Sequence, residues 1–239
     1  MKGVGSYRSN VSEFTFANTG CEEGESIGLG KVEMNLCEDG LNRTNSTFLK
    51  KTLICDKGWI MIQQKSAPYS GPHETSFDRD FNEYATGFGL PLSGGDFWIG
   101  LTTIHQLTET GYTHLRIDFK YFEEMTDYAM YNEFKVGGAE DKYNLTVKGY
   151  NGTAGDFFIQ NSGKKFTTRD SDNDEYSSGN CATEYRSGWW YGNCSESLSD
   201  PMSYRAAGPY HGINWVAWKG PGHWLRKVEM KIRKPPIII

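Results

Sequence analysis

Cys181 and Cys194 stand thirteen positions apart, and between them run Ala182-Thr183-Glu184-Tyr185-Arg186-Ser187-Gly188-Trp189-Trp190-Tyr191-Gly192-Asn193. A disulfide here would close a short ring and stabilise the fold by roughly 3 kcal/mol in the chain-entropy account. Trp189, Trp190 and Tyr191 are too many large rings for a solvent loop. They either fill a core layer or wall a pocket, and rings of this size usually pack inward. Just upstream lies the acidic run Asp170-Ser171-Asp172-Asn173-Asp174. A candidate hard-cation loop thus adjoins a small aromatic-rich ring, a pairing suited to holding a ligand.

Calcium takes six to eight oxygens, from carboxylates, carbonyls and water, on a backbone that can curl around the ion. Side chains two positions apart in a curled loop converge, which makes Asp172 and Asp174 a candidate pair. Tyr176 and either Ser178 or Gly179 could add backbone carbonyls. The loop is no EF-hand, because the glycine and glutamate that such a loop needs are missing. The plain alternative is a solvated acidic turn.

The chain has 239 residues, enough for one large domain or two small ones. Its 7 Trp, 14 Tyr, 13 Phe and 28 Gly favour a loop-rich, partly β domain over a helical bundle. A net charge of −5 argues against nucleic acid, which wants a clustered Lys/Arg excess. The cysteines at 21, 37, 55, 181 and 194 include no CxxC pair, so a structural zinc site is not expected. Asn-x-Ser/Thr acceptors begin at Asn10, Asn42, Asn45, Asn144, Asn151 and Asn193, which with the cysteines points to an oxidising, extracellular setting. The residues from Met1 to Arg8 show no apolar signal-peptide core, and no stretch approaches the ~20 apolar residues of a membrane span. Histidines 73, 105, 114, 211 and 223 lie in no triad-like pattern. The acidic run follows Thr167-Thr168-Arg169 rather than a buried apolar strand, so it matches a phosphatase nucleophile motif only superficially. No enzyme is expected.

Residues 1–54 read as loops with one or two edge strands. Gly58-Trp59-Ile60-Met61-Ile62 reads as a strand. Phe77, Phe81 and Tyr84 fall at helical spacing, ended by Gly87 and Gly89. Phe97 to Leu101 is a second apolar run. Thr102 or Thr103 could cap a short helix reaching Thr108 and closed by Gly111. His114 to Phe122 alternates at period two, as a half-buried strand does. Further strands are expected at 129–136 and 143–147, with Val228 to Ile232 closing the sheet and 235–239 as a tail.

The motifs Gly58-Trp59, Phe81 to Gly89, Asp96-Phe97-Trp98-Ile99-Gly100, Leu115-Arg116-Ile117-Asp118, Asp170–Asp174, Gly179-Asn180-Cys181-Ala182, Trp189 to Cys194, Gly212-Ile213-Asn214-Trp215 and Glu229 to Arg233 occur in one order. In that order they resemble the fibrinogen C-terminal-like domain shared by ficolins, tachylectins, tenascins, angiopoietins and the fibrinogen β and γ chains. The resemblance covers about residues 55–234. It implies an α+β fold: a central twisted, mostly antiparallel sheet, short helices and a loop-rich calcium and ligand subdomain. It implies Ca2+ on Asp172 and Asp174, with Tyr176 and Ser178 or Gly179 supplying carbonyls. One extra residue between Glu175 and Gly179 leaves the last carbonyl open.

In lectin-like members the bond before the second cysteine, here Asn193–Cys194, is cis and turns N–H groups toward a pocket for an acetyl carbonyl. Tyr185, Asn193, Cys194, Ser195, Tyr210, His211 and Trp218 would form the corresponding site. This sequence departs from the family twice there. Ser195 stands where those members have His, and Pro209-Tyr210-His211 is one residue short. The resemblance also pairs Cys55 with an earlier cysteine, for which Cys21 and Cys37 compete. The loser is free or joins another copy of the chain. These features imply a secreted, calcium-dependent recognition module, lectin-like toward acetylated glycans in innate defence. The alternative is a protein-binding ligand or matrix component with a degenerate sugar pocket.

Overall fold

The computed structural model describes residues 41–46, 51–66, 75–91, 95–121, 125–194, 213–214 and 224–236, all within one compact unit spanning 35–239. The strands are β1 (Leu41–Ser46), β2 (Lys51–Asp56), β3 (Trp59–Ser66), β4 (Phe88–Gly89), β5 (Phe97–Trp98), β6 (His114–Lys120), β7 (Thr126–Val136), β8 (Leu145–Gly152), β9 (Ile213–Asn214), β10 (Trp224–Leu225) and β11 (Lys227–Arg233). The helices are α1 (Phe81–Thr86), α2 (Leu101–Glu109) and α3 (Cys181–Tyr185).

The main sheet runs β1-β2-β3-β11-β6-β7-β8, every neighbouring pair antiparallel, with β5 and β4 branching from β3. The strand that comes last in sequence, β11, therefore sits in the middle, between β3 and β6. In β6 the alternation is kept: Leu115, Ile117 and Phe119 are fully buried while His114, Arg116 and Asp118 face the other side. β3 is buried on both faces from Trp59 to Lys65, as befits a strand covered on both sides. That burial takes polar groups inside. Gln64 donates to the Gly95 carbonyl at 2.7 Å. Lys65 lies 3.7 Å from Asp96, which also accepts from the Ser66 N–H at 2.8 Å.

A second charged cluster ties three strands together. Lys231 of β11 meets Asp118 of β6 at 2.7 Å and Asp56 of β2 at 3.0 Å. Arg116 reaches Asp118 at 2.7 Å and stacks over Tyr128, 4.4 Å from the ring centre.

Two expectations for the helices need correction. Phe77 is buried but not helical; α1 starts at Phe81 because Asp80 and Glu83 form a capping box, each side chain bonded to the other's backbone N–H. α2 begins at Leu101, ahead of Thr102 and Thr103, with Gly100 at its N-cap. Gly100 has φ +107, and a Cβ there would lie 2.8 Å from the Thr86 carbonyl group, so no threonine could serve. The strand expected at 129–136 begins earlier, at Thr126, and the one expected at 143–147 runs instead from Leu145 to Gly152.

Against one face of the sheet packs an aromatic cluster of Tyr84, Trp98, Tyr131, Phe158, Phe166, Trp189 and Trp190, none more than 1% exposed. Tyr84–Trp98 and Phe166–Trp190 meet edge to face at 5.7 and 5.0 Å. Such contacts add about 1 kcal/mol each beyond the area they bury. The Trp98 indole donates to the Tyr84 carbonyl at 3.0 Å and that of Trp190 to the Tyr143 carbonyl at 2.7 Å. This cluster is the floor on which the acidic and cystine segments rest.

Candidate functional site

The acidic run is folded by its own side chains. Thr168 and Ser171 exchange backbone hydrogen bonds at 3.0 and 3.2 Å, which makes a tight turn ahead of Asp172. Asn173 then anchors the loop from inside. Its amide donates to the Phe166 carbonyl at 2.8 Å and the Ser171 carbonyl at 3.1 Å, and its N–H reaches the Thr167 hydroxyl. Asp170 points to the start of α1, accepting from the Phe81 N–H at 3.0 Å and the Thr168 hydroxyl at 2.7 Å. Asn173 and Asp170 were not among the sequence candidates. The sign available was an asparagine standing between two aspartates, a residue type that commonly bonds nearby backbone in turns.

Asp172 and Asp174 come together. The Asp172 carboxylate accepts from the Asp174 N–H at 3.3 Å. Asp174 takes the Tyr176 N–H on one oxygen and the Cys181 N–H on the other, both at 2.8 Å. Burial pushes the Asp174 carboxyl above its ordinary value; the Cys181 and Tyr176 N–H groups pull the other way, and the charge of Asp172 adds to the rise. Among the described residues no Lys or Arg side chain pairs with either carboxylate. Two converging carboxylates with a like-charge strain and no cationic partner fit a hard cation.

The Tyr176 carbonyl accepts the Gly179 N–H at 3.3 Å, closing a turn over 176–179, and one lone pair remains for an ion. Ser178 and Gly179 are exposed on the same turn. The Cys181 and Cys194 sulfurs also lie within 4.8 Å of an Asp174 oxygen. They are joined to each other at 2.12 Å and so are no thiolate ligands.

The expected Cys181–Cys194 disulfide is present. Asn180 caps α3, accepting from the Thr183 N–H at 3.0 Å, so Cys181 enters the ring at the start of a helical turn. Ring and acidic loop are zipped together along their length. Thr167 and Trp189 form a β-bridge, and Glu175 donates its N–H to the Gly192 carbonyl at 2.9 Å. Trp189, Trp190 and Tyr191 are fully buried, so they fill core and wall no pocket.

Tyr185, Asn193 and Cys194 are brought together. The Tyr185 hydroxyl donates to the Cys194 carbonyl at 2.6 Å, and its ring stacks on Tyr191 at 5.7 Å. Tyr185 is only 5% exposed. The cis bond implied for Asn193–Cys194 is not found: every peptide bond among the described residues is trans. Ser195, Tyr210, His211 and Trp218 lie outside the described residues, as do Cys21 and Cys37. Cys55 is disulfide-bonded.

The family model for the fibrinogen beta and gamma chains, C-terminal globular domain, matches residues 21–235. Fibrinogen-like protein 1 of Rattus norvegicus is 37% identical over 208 residues, which cover 78% of this chain and 64% of that protein. The chain spans less than two thirds of the length of the curated relatives it matches first. The fibrinogen-like globe domain of human ANGPTL2 superposes with a TM-score of 0.71 at 29% identity, over 83% of this chain and 93% of that one. A lamprey fibrin D-dimer complexed with the peptide Gly-His-Arg-Pro-amide gives 0.67 at 28% identity, over 79% of this chain and 66% of that one.

Proposed function

The protein belongs to the family of the globular domain that ends the fibrinogen beta and gamma chains, and from that premise we propose that it is an extracellular recognition module, stiffened by Ca2+, whose ligand is a protein or peptide. The observation that carries this is the double hydrogen bond of Asp174. Its carboxylate holds the Cys181 and Tyr176 N–H groups at once, so an ion held by Asp172 and Asp174 would fix the cystine ring as well as the acidic loop. Calcium would supply charge and rigidity there; half-buried Asn193 would face the ligand, with Tyr185 behind it holding the Cys194 carbonyl. Disulfide bonding at Cys55 as well as within the 181–194 ring supports an oxidising compartment. This is binding chemistry, and the protein works without turnover.

The peptide ligand is favoured over a sugar by three observations. The Tyr185 hydroxyl is already engaged by the Cys194 carbonyl, the 193–194 bond is trans, and Ser195 replaces the His of sugar-binding members. A related lamprey domain is seen with a peptide bound. A second reading keeps the acetylated glycan and a role in innate defence. It is supported by the meeting of Tyr185, Asn193 and Cys194 at one point beside the acidic loop. The test is passage over acetylated resin in Ca2+, followed by N-acetylglucosamine and EDTA. Flow-through from the resin with EDTA-sensitive capture of a cell-surface protein is expected. Retention that N-acetylglucosamine releases would replace the first reading by the second.

A further inference from the structure

The two strands at the ends of the sheet, β1 and β8, carry Asn-x-Ser/Thr acceptors, and the five strands between them carry none. Asn42-Arg43-Thr44 and the start of Asn45-Ser46-Thr47 lie on β1, and Asn151-Gly152-Thr153 ends β8. Asn144-Leu145-Thr146 begins one residue before β8. An edge strand offers unpaired N–H and C=O groups to any passing chain, and proteins blunt such edges with charge, proline, bulges or covering groups. We propose that an N-linked glycan on Asn151 caps the part of the β8 edge that the described residues leave open. The proposal rests on the extracellular reading, since the oligosaccharide donor is met in the secretory pathway.

Asn151 is the acceptor whose surroundings are best defined. Its side chain is exposed, and it enters no hydrogen bond among the described residues. Thr153, also exposed, accepts from the Tyr128 N–H at 3.3 Å. The first residues of β8 are covered from outside: Leu145 exchanges backbone bonds with Gly163 and Lys164 at 2.6 and 2.9 Å, and the Val147 N–H meets the Ser162 hydroxyl at 3.0 Å. Beyond Val147 no such outside backbone bond is found among the described residues, so the open part of this edge is the part that ends at Asn151. Tyr131 faces Tyr150 and Glu133 faces Lys148, so the register runs unbroken past Gly149, which has φ +71.

Two other acceptors are placed differently. Asn144 is half-buried, and its amide donates to the Gly163 carbonyl at 2.8 Å. Asn193 is half-buried beside buried Cys194, within the disulfide ring. A sugar at Asn193 would have to stand inside the zipped loops. It is expected to stay bare.

In the transfer, the Asn151 Nδ2 forms a bond to C1 of the first sugar. The C1–oxygen bond to a polyisoprenyl diphosphate breaks, the diphosphate leaves with the electron pair, and one amide proton is released to the transferring enzyme's base. No oxidant or reductant is needed.

The test uses the full chain, secreted from a eukaryotic cell line behind an added leader. Peptide-N-glycosidase treatment in heavy-oxygen water marks each occupied asparagine as labelled aspartate for peptide mapping. Label at Asn151 and none at Asn193 is expected. Removing the glycan under native conditions should raise light scattering several-fold on standing, as should the Asn151→Gln variant. Thr153→Ser, which keeps both the acceptor and the hydroxyl, should behave as wild type, and Thr153→Ala should lose the Asn151 label. Folded, secreted protein with its disulfides formed but bare at Asn151 overturns the proposal and leaves the recognition reading intact. So does a deglycosylated protein that stays as monodisperse as the glycosylated one. Protein retained in the cell with unformed disulfides overturns both.

Discussion

The Tyr84 hydroxyl accepts the Gly188 N–H at 2.9 Å while donating to the Phe77 carbonyl at 2.7 Å, so one phenol joins α1 to the cystine ring across 104 positions of sequence. The approach is close: a Cβ on Gly188 would lie 2.7 Å from the Tyr84 ring and 2.8 Å from that of Phe166, both of which are fully buried. Neither ring has room to retreat. The position of the cystine ring on the core is therefore set by the missing side chain of one glycine and by a hydroxyl with two partners.

Tyr84→Phe should cost about 2 kcal/mol, because it strips buried backbone groups of their partner rather than merely removing a contact. Gly188→Ala should cost about 2 kcal/mol through overpacking. Urea unfolding measures both. A loss under half that size in Tyr84→Phe would mean water replaces the hydroxyl.

Calcium at a hundred times its Kd should stabilise the wild type by about 2.7 kcal/mol, or about 5–10 °C in Tm for a protein of this size. Asp172→Asn should abolish that gain and leave the Tm in EDTA little changed, since among the described residues its carboxylate hydrogen-bonds only the Asp174 N–H, at 3.3 Å. Thermal scans in calcium and in EDTA decide it. Equal shifts in both proteins would move the ion elsewhere.

Replacing Cys181 and Cys194 together by serine should lower stability by roughly 3 kcal/mol. It should also weaken calcium affinity, because the Cys181 N–H is one of the two donors that orient Asp174. Calorimetric titration of the variant reads the second effect separately from the first. Unchanged affinity would show that acidic loop and ring are energetically independent.

Burial alone would raise the Asp118 carboxyl, but hydrogen bonds from Arg116 and Lys231 outweigh it and hold the group below the ordinary carboxylate range. A depressed carboxyl contributes stability that is present above its unfolded pKa and is lost as pH falls through the folded one. The stability difference between wild type and Asp118→Asn should therefore be constant, at about 2 kcal/mol, near neutral pH and shrink below about pH 4. Lys231 is raised in turn: burial opposes the charge, but Asp118 and Asp56 more than restore it. Its share is fully present below the usual lysine pKa and is lost as pH rises from there through the folded value. Denaturation midpoints across the acid range for both proteins check the argument. A pH-independent difference would refute it.

Much of the sheet is legible in the sequence because alternation reports a half-buried strand directly, and β6 follows the pattern from His114 to Lys120. The Cys181–Cys194 ring is legible for a different reason: two cysteines thirteen positions apart can close a short ring, and the disulfide is present. Spacing misplaces the start of α1, because Phe77 sits at helical spacing from Phe81 while the capping box of Asp80 and Glu83 decides where the helix begins. Local polar bonds override hydrophobic period there. The sheet order and the Tyr84–Gly188 join depend on contacts between distant residues, which no local pattern encodes. The cis geometry expected at 193–194 rests on resemblance alone, and every peptide bond among the described residues is trans.

The central place of β11 has a consequence for biosynthesis. Residues 227–233 leave the ribosome after every other strand, yet they supply the rung between β3 and β6. Two half-sheets must wait side by side, each with an unmated margin, until that last segment arrives. Completion of the sheet thus waits for the synthesis of residues 227–233. A nascent polypeptide stalled short of residue 227 would leave both margins to the chaperones.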